Sequence, residues 1–443
     1  MAAHAHHPHF PAVNNSRVYP TSITENRNIM LITSVHVNNS DTLQDVRITD
    51  GVFSEIGTSL TTHHEEQVIN GNGKLLLPPF VDPHIHLDST QTAGQVEWNE
   101  SGTLFDGIRI WAERKKTLTV DDVKERAKAT IRRQVQHGVQ LIRTHADVTD
   151  TSFTALHALL ELRDEMKDVV DIQVVAFPQD GILSFPHGKE IMEEAAKEGV
   201  DVIGGIPHFE FTRQYGVESV HFIFKLAEKY DRLIDAHCDE IDDPASRNLE
   251  VMATLALETG MADRVTASHT TAMGSYNDAY AYKLMRLLNM SGINIISNPL
   301  VNVHLGGRFD SYPKRRAVTR IRQLLNNGVN VALGEDAVRD PWNPLGDGNM
   351  LDVDMMAVYI EHMMGYSEIQ NSFKLITENG ARAMHMTDRY GIEIGKPGNC
   401  IMLDAPDFYQ ALNTHATVLY NIRKGAILCS NKPGSATISE SLL

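Results

Sequence analysis

Two histidines separated by a single residue follow an apolar segment near the start of the chain. The segment runs Phe80-Val81-Asp82-Pro83-His84-Ile85-His86-Leu87-Asp88. In an extended chain, alternate side chains point the same way, so the rings of His84 and His86 project from one side. One metal ion could bind both rings, because imidazole nitrogen is a common ligand of zinc and ferrous iron. The spacing therefore predicts a metal site.

Later apolar segments also end in polar residues that could do chemistry. These are His145, Gln179, His208, His237, Glu240, His269, Asn298 and Asp336. A single histidine at such a place is more often a packing residue. An H-x-H pair followed by a further histidine and an aspartate nevertheless supplies a suitable set of nitrogen and oxygen ligands. No lysine ends the segment VVAFPQDG, where a carbamylated lysine would bridge a second ion, so one ion is expected.

The elements that position these residues alternate between β-like and helical patterns. Segments such as VDDVKERAKATIRRQVQHG have apolar residues at helical spacing between the apolar runs. Repeated βα units predict a parallel sheet, and about eight of them favour a closed (β/α)8 barrel, whose active site lies where the strands end. A doubly wound open sheet is the alternative. The chain lacks the GxGxxG or GxxxxGK[ST] motif of a nucleotide-binding turn.

Short alternating strand patterns occur at both ends of the chain. IMLITSVHV and LQDVRITDGVFSEIG lie near the start, and NCIMLDA and TVLYNIRKGAILCS lie near the end. Together they predict one small β-sandwich domain built from both chain ends. The predicted division is a disordered polar tail over residues 1–27, a composite β-domain over 28–78 and 391–443, and a catalytic barrel over 79–390.

Composition excludes some classes of partner. Forty lysines and arginines against 57 aspartates and glutamates give a formal net charge of −17, which disfavours binding to nucleic acid or anionic membranes. No apolar run approaches the roughly 18 residues of a membrane-spanning helix. The three cysteines, Cys238, Cys400 and Cys429, form no CxxC pair and no disulfide framework, so a reducing, cytoplasmic location is expected.

Several longer stretches resemble bacterial cytosine deaminase of the amidohydrolase superfamily. They are PPFVDPHIHLDSTQTAGQ, FPQDGILS, IPHFEFTRQYGVES, LIDAHCDEIDD, VTASHTTAM and GRFDSYPKRR, and the similarity extends over about residues 29–430. The resemblance implies four metal ligands, His84, His86, His237 and Asp336, with iron preferred and zinc tolerated. It also implies a homo-oligomer, a hexamer in this family.

The implied reaction is hydrolytic deamination of a pyrimidine base. A bound divalent ion makes hydroxide available near neutral pH. The resemblance makes Glu240 the proton shuttle to the ring nitrogen, His269 an electrostatic and proton-handling residue, and Gln179 the amide that binds the carbonyl and NH edge of the base. Asp336 or Glu240 would carry the proton to the leaving ammonia. The other cytosine-deaminating architecture needs a CxxC motif, which this chain lacks.

The chain departs from the resembling family at the end of the last predicted strand. The family has His-Asp-Asp there, and this chain has Glu335-Asp336-Ala337. In the family the second aspartate lies against position five of the pyrimidine ring of the substrate. Ala337 would leave that space open, and 5-methylcytosine, which gives thymine, becomes the first candidate substrate. Glu335 would lie outside the ligand sphere or raise the pKa of Asp336. Trp342 would form an apolar pocket wall or only pack.

Three other functions are compatible with parts of the pattern. Deamination of another amino-azine, such as isocytosine, isoguanine or creatinine, is left open by the altered strand end. A cyclic-amide hydrolase would use the same barrel but normally two metals, and the missing lysine counts against it. A catalytically silent metal-binding scaffold would be expected to lack Glu240 or His269, and both are present.

Overall fold

The computed structural model describes residues 29–439, and the predicted polar tail over residues 1–27 lies outside the described residues. Fifteen strands are formed in the described part of the chain. They are β1 Ile29–Val37, β2 Leu43–Thr49, β3 Val52–Gly57, β4 Gln67–Leu77, β5 Phe80–Ile85, β6 Val139–Asp147, β7 Asp171–Phe177, β8 Val202–Gly205, β9 Leu233–Cys238, β10 Val265–His269, β11 Asn294–Ser297, β12 Asn330–Leu333, β13 Cys400–Leu403, β14 Val418–Arg423 and β15 Ala426–Ser430.

Thirteen α-helices accompany these strands between residues 29 and 439. They are α1 Leu104–Arg114, α2 Val120–Gln136, α3 Thr154–Glu165, α4 Gly188–Lys197, α5 Arg213–Tyr230, α6 Asn248–Thr259, α7 Asp278–Ser291, α8 Pro299–Leu305, α9 Ile321–Asn326, α10 Met350–Ile360, α11 Tyr366–Ser372, α12 Glu378–Ala383 and α13 Phe408–Asn413. In the described part of the chain, no helix combines the length and apolarity that crossing a membrane requires.

One sheet is built from both ends of the chain, as predicted. Its seven strands lie in the order β15-β14-β13-β4-β1-β2-β3, with β1 and β4 parallel and the other pairs antiparallel. Asp50 and Gly51 form the turn between β2 and β3 with positive φ angles of 50° and 82°, as a tight two-residue hairpin turn requires. A separate apolar cluster that includes Ile32, Val46 and Met402 stabilises this sheet.

The second sheet confirms the predicted (β/α)8 barrel. Strands β5 to β12 pair in sequence order, all parallel. The first and last strands then meet through their backbones. Asp336 N donates to His84 O and His86 N donates to Asp336 O, both at 2.8 Å. This closure excludes the open doubly wound sheet and brings the H-x-H segment directly beside Asp336.

The helices cover the barrel because one face of each is apolar. Helix α2 begins after Thr119, whose hydroxyl accepts a hydrogen bond from Asp122 N at 3.1 Å, a common N-terminal cap. It buries Val123, Ala127 and Ile131 at the i, i+4, i+8 spacing of one helical face. Every residue of β6 is buried, as expected for a parallel strand covered on both faces.

The chain-end sheet contacts the barrel at the end opposite the functional site. Gln140, near the start of β6, donates to Asn421 Oδ1 at 2.6 Å and to Ile422 O at 2.8 Å. Arg423 Nη1 lies 3.1 Å from Asp171 Oδ2, at the start of β7. We keep the division at residues 78 and 391 as a proposal for the domain boundaries.

Candidate metal centre and active site

Four predicted ligand side chains converge at the carboxyl ends of the barrel strands. His84 Nε2 and His86 Nε2 each lie 3.5 Å from Asp336 Oδ1. The Nε2 atoms of His86 and His237 approach each other to 3.0 Å. Three strands, β5, β9 and β12, position this group, so residues more than 250 positions apart in the sequence meet at one point.

The donor set suits a divalent cation. His84 Nε2 is buried and has no hydrogen-bond partner among the described residues. Burial lowers the pKa of His84 to about 3, helped by the Arg143 charge, and that of His86 to about 4. Burial also holds the pKa of His237 well below its ordinary value. Imidazoles that stay neutral keep a lone pair for a metal, and a nearby carboxylate completes a nitrogen and oxygen set.

Glu240 and His269 lie beside this group. His269 Nδ1 is 3.2 Å from Glu240 Oε1 and 3.9 Å from Asp336 Oδ2. Asn302 Nδ2 donates to Glu240 Oε1 at 3.1 Å. Burial and then the Asp336 charge raise the pKa of Glu240 well above its ordinary value, which favours a carboxyl group that holds a proton. Burial lowers the pKa of His269 to about 3.

Two of these residues have strained backbones. Asp336 and His269 have φ angles of 70° and 69°, in the left-handed region that residues other than glycine seldom adopt. Strain of this kind persists where the surrounding structure holds it, and it is concentrated at functional sites. His269 is the last residue of β10, paired with Cys238, and Asp336 lies three residues after the end of β12.

A narrow cavity opens from this centre toward the barrel mouth. Its lining includes Gln179, Glu240, Asp336, Ala337 and Trp342. Its apolar side is continuous with a cluster of Ile108, Trp111, Val301, Leu305, Ala337 and Trp342. The structure therefore places all three predicted substrate-contact positions around one cavity that also reaches the metal-binding group.

Trp342 both packs and forms a wall. Its indole is 8% exposed, and Nε1 donates to Leu104 O at 3.2 Å. The same side chain lines the narrow cavity and also a second, larger cavity. The ring is therefore packed and also lines the cavity, and its contact with substrate stays a prediction.

Glu335 points away from the metal-binding group. Its Oε1 accepts a hydrogen bond from Asp347 N at 3.1 Å, and its own backbone N donates to Asp82 Oδ1 at 3.1 Å. Burial and the neighbouring Asp82 raise the pKa of Glu335 well above its ordinary value. The sequence left two arrangements open for Glu335. In the structure its carboxyl group lies outside the group of predicted metal ligands.

We expect Gly107→Ala to disturb the Trp342 wall. A methyl group at Gly107 would lie 2.3 Å from Trp342 Nε1 and 2.5 Å from Cδ1, so the rigid indole must move. Overpacking costs about 1–3 kcal/mol, which exceeds the roughly 1 kcal/mol that alanine adds in helix propensity. The variant should therefore unfold at a lower temperature and show a raised KM for its substrate, measured by thermal unfolding and steady-state kinetics.

The matched control is Gly57→Ala, where the added methyl would meet only a Leu60 side-chain atom, at 3.4 Å. It should leave KM unchanged. Equal KM values for both variants would show that the indole position does not shape the substrate cavity.

Sequence reasoning missed residues that hold the predicted ones in place. Asn302 contacts both Glu240 and His269. The sequence contained a signal for this residue, because Asn302 lies four positions after the predicted residue Asn298 and so falls on the same side of a helix. Arg143 and Asp235 are fully buried. Charged residues inside the apolar segments VQLIRTHAD and RLIDAHCDE were the available signal there.

Two further predicted strand-end histidines lie near the centre, and His145 forms with His84 and Asp235 another group that could hold a metal ion, with ligand atoms within 4.8 Å of one another. The ring of His145 is 4.1 Å from that of His84, and both its nitrogens lack partners among the described residues. His208 Nδ1 lies 3.2 Å from His237 O. Asn298, the remaining strand-end residue, places Nδ2 3.2 Å from His269 Nδ1.

Comparison with known proteins agrees with this fold. A family model described as the amidohydrolase family matches residues 67–435. A crystal structure of 5-methylcytosine deaminase from Klebsiella pneumoniae liganded with 5-fluorocytosine is 48% identical, with a TM-score of 0.90 over 92% of this chain and 99% of that chain. N-isopropylammelide isopropyl amidohydrolase from a Pseudomonas strain is 28% identical over 91% of this chain and 98% of its own length.

A barrel of eight parallel strands with clustered histidines and an aspartate at its carboxyl end defines a metal-dependent hydrolase. This chain belongs to the amidohydrolase family. A further solved structure, N-isopropylammelide isopropylaminohydrolase from Burkholderia multivorans, is 25% identical with a TM-score of 0.79 over 91% of this chain and 98% of that chain.

Proposed function

We propose that this protein is a metal-dependent hydrolytic deaminase of cytosine and 5-substituted cytosines. It converts 5-methylcytosine to thymine and cytosine to uracil, with one water consumed and one ammonia released. The observation that carries the proposal is the cavity in which Glu240, Gln179 and Ala337 surround one small space beside the metal-binding group. The 48% identity to a 5-methylcytosine deaminase over nearly the whole chain supports the substrate class.

His84, His86, His237 and Asp336 would hold a single divalent ion. Three neutral imidazoles and one carboxylate suit both Fe(II) and Zn(II), and we propose Fe(II) as the preferred ion with Zn(II) as a possible one. When bound, such an ion lowers the pKa of a water molecule and makes hydroxide available near neutral pH.

Glu240 is the proposed acid and proton carrier. Burial and then the Asp336 charge raise the pKa of its carboxyl group, which favours a group that can hold a proton, and Asn302 Nδ2 donates to Oε1 at 3.1 Å. The other oxygen is then free to donate to the ring nitrogen next to the carbon that bears the amine. Protonation there removes electron density from that carbon, and the same carboxyl group can pass a proton to the departing amine.

His269 and Asp336 complete the polar side of the site. His269 stays neutral because burial lowers its pKa to about 3, so its ring can orient and exchange a proton without adding a fixed charge. Asp336 Oδ2 lies 3.9 Å from His269 Nδ1, which places a second carboxylate near enough to receive a proton during the reaction.

Gln179 and Ala337 are the proposed determinants of substrate choice. The Gln179 amide has both a donor and an acceptor, which match the carbonyl and NH edge of cytosine. Ala337 is 2% exposed and belongs to the apolar cluster with Val301 and Trp342. A methyl group at ring position five would contact this apolar side, where a carboxylate would leave no room for it.

The remaining assignments are also proposals. We place the enzyme in the cytoplasm because its three cysteines form no CxxC pair and no disulfide framework. The formal net charge of −17 favours a free pyrimidine base over nucleic acid as the partner. A homo-oligomer, a hexamer by family resemblance, is proposed for the assembled form.

Ammonia release by the iron-loaded protein tests the function. Cytosine and 5-methylcytosine are compared side by side, together with isocytosine, isoguanine, creatinine and a cyclic amide. We expect both cytosines to react and 5-methylcytosine to have a kcat/KM at least equal to that of cytosine. Protein stripped with a chelator should lose activity and regain it with Fe(II) or Zn(II). Turnover of another amino-azine or of the cyclic amide, with neither cytosine reacting, would overturn the proposal.

A further inference from the structure

A buried series of hydrogen-bonded polar side chains connects the barrel interior to His84. Arg143 on β6, Asp235 on β9 and Ser268 on β10 are each essentially inaccessible to solvent. Arg143 Nη1 lies 2.9 Å from Asp235 Oδ2, Ser268 Oγ donates to Asp235 Oδ1 at 2.6 Å, and His84 Nδ1 lies 2.9 Å from Ser268 Oγ. None of the three lines the cavity, and Ser268 connects them directly to His84.

The Arg143 cation at one end of this hydrogen-bonded series determines which group donates and which accepts in each hydrogen bond. The Arg143 guanidinium can only donate, and its other nitrogens are held by Gln173 Oε1 at 3.0 Å and Ala383 O at 2.8 Å. Asp235 accepts on both oxygens, from Arg143 Nη1 on one and from the Ser268 hydroxyl on the other. Ser268 has one hydroxyl proton, and the carboxylate takes it.

The position of the Ser268 hydroxyl proton determines the tautomer of His84. Because the Ser268 hydroxyl proton points to Asp235, the Ser268 oxygen can only accept from His84, which must carry its hydrogen on Nδ1. Nε2 of the neutral ring is then bare. This is the nitrogen that lies 3.5 Å from Asp336 Oδ1 and lacks a partner among the described residues.

We propose that Arg143, Asp235 and Ser268 are positioning residues that lock His84 in the tautomer with a free Nε2 and so set the affinity of the site for its metal ion. The inference rests on the proposed metal site but not on the identity of the substrate. Hydrogen bonding to the remote nitrogen of a metal-binding histidine is worth about 10- to 100-fold in metal affinity.

The test measures metal affinity by competition with a chelator, using Zn(II) and Co(II), with the visible spectrum of the Co(II) form as a second readout. Ser268→Ala is expected to weaken affinity about 10- to 100-fold and to change the Co(II) spectrum. Ser297→Ala is the matched control, because Ser297 is buried on the next strand and its hydroxyl has no partner among the described residues. Its affinity and spectrum should equal those of the wild type.

Asp235→Asn gives the sharper prediction. An asparagine would turn its oxygen toward the Arg143 cation and its NH2 toward Ser268, so the Ser268 proton would turn to His84 Nδ1 and the hydrogen of His84 would move to Nε2. This variant should therefore bind metal more weakly than Ser268→Ala. The double variant that combines Asp235→Asn with Ser268→Ala should have the same metal affinity as Ser268→Ala alone. It has no Ser268 hydroxyl group whose hydrogen bond to His84 could be reversed.

Thermal unfolding and circular dichroism of each variant check that it is folded. If Asp235→Asn does not fold, the comparison of Ser268→Ala with Ser297→Ala still decides. Unchanged metal affinity in folded Ser268→Ala overturns the inference, and so does a purely additive double variant. A wild type that binds metal but deaminates neither cytosine would overturn the proposed function and leave this inference standing.

Discussion

Replacing Glu240 by glutamine is expected to lower kcat for deamination about 10²- to 10⁴-fold, the usual contribution of general acid–base catalysis. Glutamine keeps the shape of the side chain and can still contact Asn302, which lies 3.1 Å from Glu240 Oε1. It cannot release a proton to the ring nitrogen or carry one to the amine. The measurement is steady-state ammonia release, with metal content and substrate binding determined on the same samples.

Glu335→Gln provides the matched control. Glu335 is also a buried carboxyl group with a strongly raised pKa, but its Oε1 faces Asp347 N at 3.1 Å and not the cavity. Because this group already favours its neutral form, a neutral isostere should change kcat by only a few-fold. Loss of activity in both variants to the same degree, or retained activity in Glu240→Gln with metal bound, would contradict the role given to Glu240.

Introducing a carboxylate at position 337 is expected to change the choice of substrate. In Ala337→Asp the ratio of kcat/KM for 5-methylcytosine to that for cytosine should fall about 10- to 200-fold, the range found when one methyl or methylene gains or loses its pocket. The aspartate would fill the space beside Val301 and Trp342 and present charge to a substrate methyl group. Competition between the two bases in one reaction measures the ratio directly.

Ala337→Ser is the control for this prediction, since it adds one polar atom without a charge or the volume of a carboxyl group. It should retain most of the preference. A ratio that stays at the wild-type value in Ala337→Asp, with cytosine still deaminated, would show that residue 337 does not face ring position five. The proposed deamination chemistry would survive that result, because it depends on Glu240 and the metal-binding group.

These predictions separate chemistry from specificity. Glu240 affects both cytosines equally, because protonation of the ring nitrogen is common to them. Ala337 affects only the comparison between them. Gly107→Ala, which displaces the Trp342 wall, should raise KM for both. Three distinct kinetic patterns from residues at or beside one cavity would be difficult to explain by general damage to the fold.

The amino-acid pattern by itself predicted the barrel and the composite β-unit. Alternating apolar runs and amphipathic segments specify a parallel sheet, because each element must bury its own apolar face, and that information is local. Polar residues at strand ends are also local features. The rule that such ends converge in a closed barrel predicted a metal site near His84 and His86, whereas the resemblance to the amidohydrolase superfamily implied His237 and Asp336 as the other two ligands. Their role as metal ligands remains a prediction.

Only the tertiary structure decided which side chains act on one another across strands. Nothing in the sequence relates Arg143 to Asp235, Ser268 and His84, since these contacts join four strands and depend on the register of each pair. The orientation of the Glu335 side chain was also decided by the tertiary structure, because it depends on the loop whose Asp347 N donates to Glu335 Oε1. Local propensity fixes where a side chain leaves its own strand, but its partner is set by how the barrel closes.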